Sequence, residues 1–360
     1  MVNSQKYIIL GLTPQGLSLL RILGRAQADV TAFCTSKKNV GYHSRYGKKI
    51  LYSNISELKR CISDIINASK EKPICYITSG EILASVLQEY KEIYDECHVF
   101  SGPYPVIEML AHKDKMYEYA HKHNFRIAKY STLDKEDYKN LSYPIFLKRN
   151  YEIPLFFKAV KIESSEELAS FYNRIPKENL KDVIAQEFVK IDEKNLKYIT
   201  CQGFWLEGKC CGIYAAYQKR RLKKGLTSYL EEITDSELNN RLYAYANSFM
   251  SELGYNGFAE FEYMYNQEDK ALWFLEVNTR PCGTHSGMMY KFPNSSALIL
   301  QPTKHTLLQN NTKPLYWMNI IRDIRARIEN KDAKGIFDIF KSKFDIFDIK
   351  DPMPFFRQIL

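Results

Sequence analysis

Short apolar runs alternate with segments of helical periodicity through the first third of the chain. The pattern predicts strands over residues 7–10, 30–34 and 74–78, and helices that follow at 17–23, 55–66 and 82–87. Strands separated by helices form βαβ units, in which successive strands pair in parallel. The first third is therefore predicted to be an α/β domain built on a parallel sheet.

The pattern changes after about residue 112. Helices are predicted over residues 112–124, 166–172 and 236–253, and strands over 143–149, 155–162, 183–189 and 196–217, the last broken by a turn at Glu207 and Gly208. Residues 257–265 and 271–277 form a predicted hairpin around a polar turn. Consecutive strands of this kind favour an antiparallel α+β arrangement.

The last sixty residues are predicted to be helical. Phenylalanines recur there at three- and four-residue steps, at positions Phe337, Phe340, Phe344 and Phe347. Such a stripe is typical of an apolar helix face, which packs against a core more often than it contacts a membrane. Core packing is therefore the favoured interpretation.

The turn after the first strand reads GLTPQG, between Gly11 and Gly16. It has one glycine too few for a dinucleotide-binding fingerprint, and it lacks the Gly-Lys-Ser/Thr of a P-loop. A helix N-terminus at this position can hold an anion. A plain strand-to-helix turn is favoured over a cofactor site, which makes an NAD-dependent oxidoreductase an unfavoured alternative.

Composition narrows the class of protein. Hydrophobic residues make up 45% of the 360 and charged residues 26%, as in a packed globular protein. No stretch resembles a signal peptide or approaches the roughly 18 apolar residues of a membrane span, so a cytosolic protein without membrane insertion is expected. Eight cysteines occur without a CxxC pair, which favours reduced thiols over a zinc site.

The strongest chemical signal is the predicted hairpin GFAEFEYMYNQEDKALWFLEVNTRP. Side chains alternate across a strand, so Glu260 and Glu262 share one face, as do Glu276 and Asn278. Several carboxylates on one face are costly to bury unless a cation neutralises them, and oxygen ligands of this kind suit Mg²⁺. A solvated acidic face remains the alternative at this point.

The hairpin resembles the ATP-grasp superfamily, whose members carry an acidic residue on one strand and E-x-N-x-R on the next. Glu262, Glu276, Asn278 and Arg280 match that pattern. The resemblance implies that Glu262, Glu276 and Asn278 ligate Mg²⁺, or alternatively Mn²⁺. It also implies that Arg280 stabilises negative charge on the transferred phosphoryl group.

Three upstream segments also resemble the nucleotide-binding parts of that superfamily. HKDKMYEYAHKHNFRIAKYS implies that Lys115 contacts an ATP phosphate, and YPIFLKRN implies the same for Lys148. IAQEFVKIDE resembles the hinge that holds adenine, and its lining residues would be Gln186, Glu187, Phe188 and Val189. The family's ribose-binding acid corresponds to Glu193, with Asp192 as the next candidate.

One segment departs from the common ATP-grasp pattern. Residues 149–158 contain no glycine, although many members have a glycine-rich loop there. Lys158 or Lys161 would then supply positive charge over the phosphates. The same departure is found among D-aspartate ligases and similar envelope-modifying amino-acid ligases.

The segment YQKRRLKKGLTSYLEEI also resembles those ligases, and its basic cluster comprises Lys219, Arg220, Arg221, Lys223 and Lys224. Arginine binds a carboxylate in a bidentate fork. Arg220 or Arg221 is therefore a candidate to hold a substrate carboxylate, with Arg221 taken as catalytic beside Arg280 and Lys148. A solvated basic loop is the alternative.

Two further residues follow the E-x-N-x-R motif, in RPCGTHSG. His285 is interpreted as a wall of the substrate pocket rather than a catalytic residue, and Cys282 as a pocket-lining thiol. Neither has a neighbour in the sequence that forms a clear nucleophile–base pair.

The resemblance implies four segments along the chain. They are a Rossmann-like pre-ATP-grasp domain over 1–112, a small lid subdomain over 113–190, a large subdomain with the metal site over 191–310, and a helical C-terminal segment over 311–360. The implied enzyme is an ADP-forming carboxylate–amine ligase that uses ATP and Mg²⁺ and acts through an acyl phosphate.

The implied partners are a small carboxylate and an amine, with an amino acid joined to a cell-envelope precursor. Alternatives are a carboxyphosphate-forming enzyme similar to carbamoyl-phosphate synthetase and a non-catalytic ATP-binding regulator. The net charge of +9 fits nucleic acid on charge alone, but no recognised nucleic-acid motif occurs, so nucleic acid is not an expected partner. A homodimer is left open.

Overall fold

A computed structural model describes residues 5–151, 155–223 and 225–358. The strands are β1 (Lys6–Leu10), β2 (Asp29–Cys34), β3 (Lys48–Leu51), β4 (Ile74–Ile77), β5 (His98–Val99), β6 (Ser101–Gly102), β7 (Tyr130–Thr132), β8 (Ile145–Arg149), β9 (Ala159–Ile162), β10 (Val183–Glu187), β11 (Leu196–Leu206), β12 (Lys209–Arg221), β13 (Thr227–Glu232), β14 (Asn256–Asn266), β15 (Leu272–Asn278), β16 (Tyr316–Met318) and β17 (Lys343–Phe344).

The helices are α1 (Pro14–Arg25), α2 (Ile55–Asn67), α3 (Gly80–Glu89), α4 (Ile93–Glu96), α5 (Tyr104–Ala111), α6 (Lys113–Lys122), α7 (Ser165–Tyr172), α8 (Ser236–Glu252), α9 (Ser286–Lys291), α10 (Ser295–Leu300), α11 (Ile320–Asn330) and α12 (Met353–Phe356). Short 3₁₀ helices lie at Val40–His43, Glu136–Asn140, Lys177–Asp182 and Lys334–Phe340. None of the described helices is long and apolar enough to cross a membrane.

The chain divides into two compact units, each assembled from separated stretches. Unit 1 comprises the residues up to Val106, Tyr198–Phe261 and those from Asn278 onward. Unit 2 comprises Ile107–Lys197 and Glu262–Val277. The division into four successive segments stays a prediction.

A five-stranded parallel sheet lies in unit 1, in the order β3-β2-β1-β4-β5. β4 is apolar throughout and β1 is apolar after Lys6, and Ile8, Ile9 and Leu10 of β1 are fully buried. Continuous apolar strands are typical of a parallel sheet that is covered on both faces. The predicted parallel α/β domain is therefore confirmed.

The turn between β1 and α1 is tight for a steric reason. Gly11 has φ +107°, a conformation that L side chains rarely adopt, and a Cβ on Gly16 would lie 2.0 Å from the Gly11 carbonyl oxygen. The two glycines therefore let the chain leave β1 and begin α1 at Pro14.

The largest sheet follows the order β15-β14-β11-β12-β13-β16-β17, with β6 paired to β14. β12 pairs antiparallel with β11 and with β13, whereas β16 and β17 are parallel. The turn between β11 and β12 uses Glu207 and Gly208, both at positive φ, as the sequence predicted. β14 and β15 form the predicted hairpin, closed by a hydrogen bond from Asn266 N to Ala271 O.

Unit 2 contains a four-stranded antiparallel sheet in the order β7-β10-β8-β9. Its core includes Ile145 and Leu147 of β8 and Val183 and Ala185 of β10, all fully buried. Lys148, at the end of β8, lies opposite Ile184 in the register of β8 and β10. This register brings Lys148 and Gln186 to the same face of the sheet.

The C-terminal segment is not wholly helical, although the sequence predicted a helical tail. β16 and β17 join the largest sheet, and Phe344 lies in β17 rather than in a helix. Phe337 and Phe340 are 73% and 85% exposed, so the prediction that the phenylalanine stripe packs in the core is wrong for both. The physical reason is Asp338, whose carboxylate binds Arg220 and turns that side of the 3₁₀ helix inward.

Candidate functional site

Two lysines and one glutamate form a charged group in unit 2. Lys113 Nζ, at the start of α6, lies 3.0 Å from Glu276 Oε2 on β15. Lys148 Nζ donates to Gln186 Oε1 at 2.7 Å. The positive charge of Lys113 is also one cause of the altered pKa of Lys148, so the two ammonium groups act on one another.

Burial and the neighbouring charge of Lys113 lower the pKa of Lys148 to about 8, against the opposing effect of Glu276. Desolvation is the largest of these causes. A polyphosphate bound here would supply negative charge and favour the charged form of Lys148.

Gln186 and Tyr117 make hydrogen bonds that fix the residues around this group. Gln186 Nε2 donates to Ala128 O at 3.3 Å, which orients its amide oxygen toward Lys148. Tyr117 donates its hydroxyl to Leu275 O at 2.9 Å, and burial raises the pKa of that phenol well above its usual range. The tyrosine therefore stays neutral and fixes α6 against β15.

The predicted hinge begins at the end of β10. The backbone N–H of Glu187 donates to Lys129 O and that of Phe188 to Pro144 O, so the fold occupies both donors. Glu187 Oε1 accepts a hydrogen bond from Ser142 N at 2.9 Å. Phe188 is 37% exposed, and Lys161 Nζ lies 4.8 Å from its ring centre. Glu193 and Asp192 lie farther along the same segment and are exposed.

Lys115 lies on the solvent side of α6, whereas Lys113 faces Glu276. Lys113 was not among the residues expected from the sequence. Helical periodicity could have indicated it, because Lys113 precedes the buried residues Met116, Tyr117 and Ala120 by three, four and seven positions. This spacing places Lys113 on their face of the helix. The role of Lys115 stays a prediction.

A chain of hydrogen bonds in unit 1 leads to Arg280. Glu260, only 7% exposed, accepts from Thr200 Oγ1 at 2.7 Å and from Asn278 Nδ2 at 3.3 Å. Asn278 Oδ1 in turn accepts from Arg280 at 3.2 Å. The alternation along the hairpin predicted that Glu260 lies on its polar face. The hydrogen bonds show that the Glu260 carboxylate orients Asn278.

Arg280 lies beside the start of α3. A Cβ on Gly80 would lie 3.3 Å from Arg280 Nε, so the glycine leaves room for the guanidinium. The hydroxyl of Ser101 donates to Thr279 O and fixes the backbone next to Arg280. Arg280 also donates to Pro281 O at 3.3 Å. Its described acceptors are neutral oxygens, which do not offset its charge.

Cys282 and His285 are both buried in the same unit. Burial, with the charge of Glu260, raises the pKa of the Cys282 thiol well above its usual range, and Cys282 Sγ lies 3.3 Å from Thr284 Oγ1. Burial lowers the pKa of His285 to about 3, and its ring packs edge-on against Phe258 at 4.4 Å. A protonated thiol and a neutral imidazole fit wall residues better than a nucleophile and a base.

Comparisons with known proteins agree with this geometry. The chain is 22% identical over 297 residues to the D-aspartate ligase of Enterococcus faecium (strain Aus0004), covering 74% of this chain and 70% of the ligase. The solved ADP complex of an N5-carboxyaminoimidazole ribonucleotide synthetase superposes with a TM-score of 0.69 at 15% identity, covering 89% of this chain and 82% of the synthetase. No family model matches the chain.

The corresponding synthetase of Aspergillus clavatus, solved with ATP, gives a TM-score of 0.68 at 14% identity, with 89% and 83% of the two chains covered. These likenesses show that the chain has the ATP-grasp fold. The fold expected from its motifs is thereby confirmed.

The residues expected to bind metal are Glu262, Glu276 and Asn278. They supply carboxylate and amide oxygens, the donors that Mg²⁺ takes, and Glu276 faces the cation of Lys113. Among the described residues, no group of three or more His, Cys, Asp or Glu side chains is arranged to hold a metal ion. Metal binding by these residues stays a prediction.

The basic cluster needs a correction at Arg220. Its guanidinium is 8% exposed and donates to Asp323, Asp332 and Asp338 at 2.8, 2.9 and 2.6 Å. These carboxylates raise its pKa and occupy the fork that was expected to bind a substrate carboxylate. Arg220 is therefore a structural residue.

Arg221 differs from its neighbour. Its guanidinium carbon lies 3.7 Å above the ring centre of Tyr198, and its Nε donates to Gly225 O at 3.0 Å. Lys219 pairs with Glu231 at 3.5 Å, whereas Lys224 lies outside the described residues. The binding of a substrate carboxylate by Arg221 stays a prediction.

A cavity of about 480 Å³ opens at the carboxyl ends of β1, β2 and β4. The turn after β1 contributes Gly11 and Thr13 to its wall, and Glu81 and Glu89 of α3 also line it. The described lining contains no lysine or arginine. The acidic side chains of this lining do not favour a phosphate-bearing cofactor. The interpretation of the turn as a plain strand-to-helix connection stays a prediction.

Proposed function

We propose that the chain is an ADP-forming carboxylate–amine ligase that activates the carboxylate of a small substrate as an acyl phosphate. The observation that carries this proposal is Lys148, a partly buried ammonium that is held by the neutral amide of Gln186 and feels the positive charge of Lys113. A nucleotide polyphosphate is a ligand that would stabilise both cations.

In the first proposed step, a carboxylate oxygen attacks the γ-phosphorus of ATP. The bond from that phosphorus to the β,γ-bridging oxygen breaks, and ADP leaves with the electron pair. Lys148 and Lys113 hold phosphate oxygens, and Arg280 offsets charge on the phosphoryl group in flight. Mg²⁺, when bound through Glu262, Glu276 and Asn278, supplies further charge neutralisation on the phosphates.

In the second step, the amine nitrogen attacks the acyl carbon, phosphate leaves with the bonding electrons, and the nitrogen loses a proton to give an amide. No protein nucleophile is needed, which agrees with the protonated state of Cys282 and the neutral state of His285. The chain contributes mainly positioning and electrostatics.

The adenine and ribose contacts belong to the same proposal. The fold uses the N–H groups of Glu187 and Phe188, so adenine recognition is assigned to Val189 and to the carbonyl groups of this hinge. The ring of Phe188, beside Lys161, offers an apolar surface to the base. Glu193, with Asp192 as the next candidate, is assigned to the ribose hydroxyls.

For the substrates, we propose an amino-acid carboxylate joined to an amine of a cell-envelope precursor. The support is the sequence likeness to a D-aspartate ligase, together with the basic segment that contains Arg221. Arg221, already oriented by Tyr198 and Gly225, is the candidate to hold a second carboxylate.

Isotope transfer tests the proposed reaction. The chain is screened for phosphate release from Mg·ATP with amino acids and simple carboxylates, and an active carboxylate is then supplied with ¹⁸O. An acyl phosphate delivers one ¹⁸O atom from the carboxylate to the released phosphate. Glu276→Ala is expected to abolish ADP formation, whereas Glu268→Ala, in the exposed turn of the same hairpin, retains it.

A carboxyphosphate-forming reaction is the second candidate, because the solved neighbours with TM-scores of 0.68–0.69 include carboxyaminoimidazole ribonucleotide synthetases. It predicts label in phosphate from ¹⁸O-bicarbonate and none from a carboxylate. ATP binding without ADP formation, whatever the added carboxylate, would instead support a non-catalytic regulator.

A further inference from the structure

The outer surface of the C-terminal segment is apolar. It consists of five side chains that are more than half exposed, here called the apolar patch: Ile324 (54%), Ile328 (74%), Ile336 (59%), Phe337 (73%) and Phe340 (85%). Single exposed apolar side chains are ordinary, but a contiguous group marks a surface that contacts something else.

Three members of the patch line one groove, and the two phenylalanines lie on the adjoining face of the same 3₁₀ helix. Ile324 and Ile328 are four residues apart on α11 and share one face of that helix. Both line a groove of about 550 Å³ whose other wall includes Ile336 and Ile339. Phe337 and Phe340 follow on the same 3₁₀ helix, where a spacing of three residues places them on one face.

The exposed charges around the patch are mostly positive. Asp323, Asp332 and Asp338 belong to the same segment, but their carboxylates face inward to Arg220. Arg325, Lys331 and Lys334 are exposed, and no carboxylate in the described parts of the chain pairs with them. The acidic residue between them, Glu329, accepts a hydrogen bond from the backbone N–H of Lys223.

We propose that the apolar patch docks on an anionic phospholipid surface. Protruding phenylalanines beside an apolar helix face can enter the headgroup region, while arginine and lysine bind lipid phosphates around them. A second copy of the chain fits less well, because a two-fold interface opposes each patch to itself and would bring these cations together. The charge complementarity therefore selects a negatively charged surface.

Sedimentation with vesicles tests this inference, using the full chain with phosphatidylcholine alone or mixed with phosphatidylglycerol. We expect binding to the mixed vesicles that weakens at high salt, since surface charges are screened. The double substitution Phe337→Ser with Phe340→Ser should weaken binding at least tenfold. Lys331→Gln with Lys334→Gln should weaken it about fivefold per lysine.

Leu307→Ser is the matched control, because Leu307 is 72% exposed but lies far from the apolar patch. The backbone N–H of the next residue, Leu308, donates to Cys211 O at the other end of β12 from Arg220. Cys211 and Arg220 are nine residues apart, which is about 30 Å at the usual rise per residue of a strand. The control should bind as the unaltered chain does. Unchanged thermal unfolding of the phenylalanine variant shows that its fold is intact.

Two results would overturn the inference. One is an unaltered chain that does not sediment with anionic vesicles, or that sediments equally with neutral ones. The other is a dimer in analytical ultracentrifugation that the phenylalanine variant loses, which would assign the patch to a second copy. Neither readout depends on the ligase activity, so the failure of this inference and the failure of the proposed reaction are distinguishable.

Discussion

Two arginines of unit 1 show how differently this chain uses the same side chain. Arg220 donates to three carboxylates, whereas the described acceptors of Arg280 are a carbonyl oxygen and an amide oxygen. A guanidinium surrounded by carboxylates has its charge neutralised within the fold. A guanidinium held by neutral oxygens is oriented but keeps its charge for a ligand, which is what a transferred phosphoryl group requires.

The lysines of unit 2 show the same difference. Lys113 pairs with Glu276, whereas Lys148 donates to the neutral amide of Gln186. We expect substitution of Arg220, which is surrounded by carboxylates, to act on stability. Substitutions of Arg280 and Lys148, which are held by neutral groups, should act on ligand binding and catalysis. Lys113 and Glu276 are only partly buried, so their pairing leaves Lys113 able to bind phosphate as proposed.

The largest effect is expected for Arg220→Ala. It leaves Asp323, almost fully buried, and two further carboxylates without their cation, and breaking a buried ion pair in this way costs about 3–5 kcal/mol. Urea denaturation should show that loss in the free energy of unfolding. Arg221→Ala is the adjacent control and should lose about 1 kcal/mol or less, the value of an exposed cation–π contact. Equal losses would contradict the structural role of Arg220.

The reverse outcome is expected for Arg280→Ala. Removing a charged donor from a developing phosphoryl charge lowers kcat about 10²–10³-fold, or roughly 3–4 kcal/mol. The free energy of unfolding should fall by about 1–3 kcal/mol, less than for Arg220→Ala, because two hydrogen bonds to neutral oxygens are lost and no carboxylate loses its cation. Steady-state ADP formation and urea denaturation of the same preparation measure both. Near-normal turnover would remove Arg280 from the reaction.

Local patterns in the sequence predicted this contrast only in part. Alternation along β14 and β15 placed Glu260 and Asn278 on a polar face, and the structure joins them by a hydrogen bond. The expectation for Arg280 came from the resemblance of this hairpin to the ATP-grasp superfamily, and its role stays a prediction. The shared polar face could be predicted because the periodicity of a hairpin fixes its side-chain directions within a few residues.

The role of Arg220 could not be predicted in the same way. Its partners Asp323, Asp332 and Asp338 are more than 100 residues away in the chain, and no local period connects them. The exposed phenylalanines of the C-terminal segment were misjudged for the same reason, because an ion pair decides which side of that 3₁₀ helix faces inward. Long-range charge pairing overrides local periodicity there.

A smaller and pH-dependent effect is expected at Lys148. Its pKa is lowered to about 8, so it carries its charge below that pH and loses it as the pH rises further. ATP affinity should therefore fall above pH 8, by at most about tenfold per pH unit. Isothermal titration calorimetry between pH 6.5 and 9.5 measures the dependence. Lys148→Arg keeps a charge throughout, so its ATP affinity should change little with pH. If the ATP affinity of the native chain is also constant between pH 6.5 and 9.5, Lys148 is excluded as a phosphate ligand.

The smallest effect is expected for Glu260→Gln, which probes the support behind Arg280 rather than the arginine itself. Glu260 accepts hydrogen bonds from Thr200 and Asn278, and a glutamine of the same shape has only one acceptor oxygen and adds an amide donor. One of the two donors then faces another donor, at a cost of about 1–2 kcal/mol. Because Asn278 orients Arg280, kcat should fall about tenfold while the KM for ATP stays within about twofold. Glu268→Gln, in the exposed turn of the same hairpin, is the matched control and should change neither constant. A tenfold rise of the KM for ATP without loss of kcat would show that Glu260 supports ground-state binding rather than the orientation of Arg280.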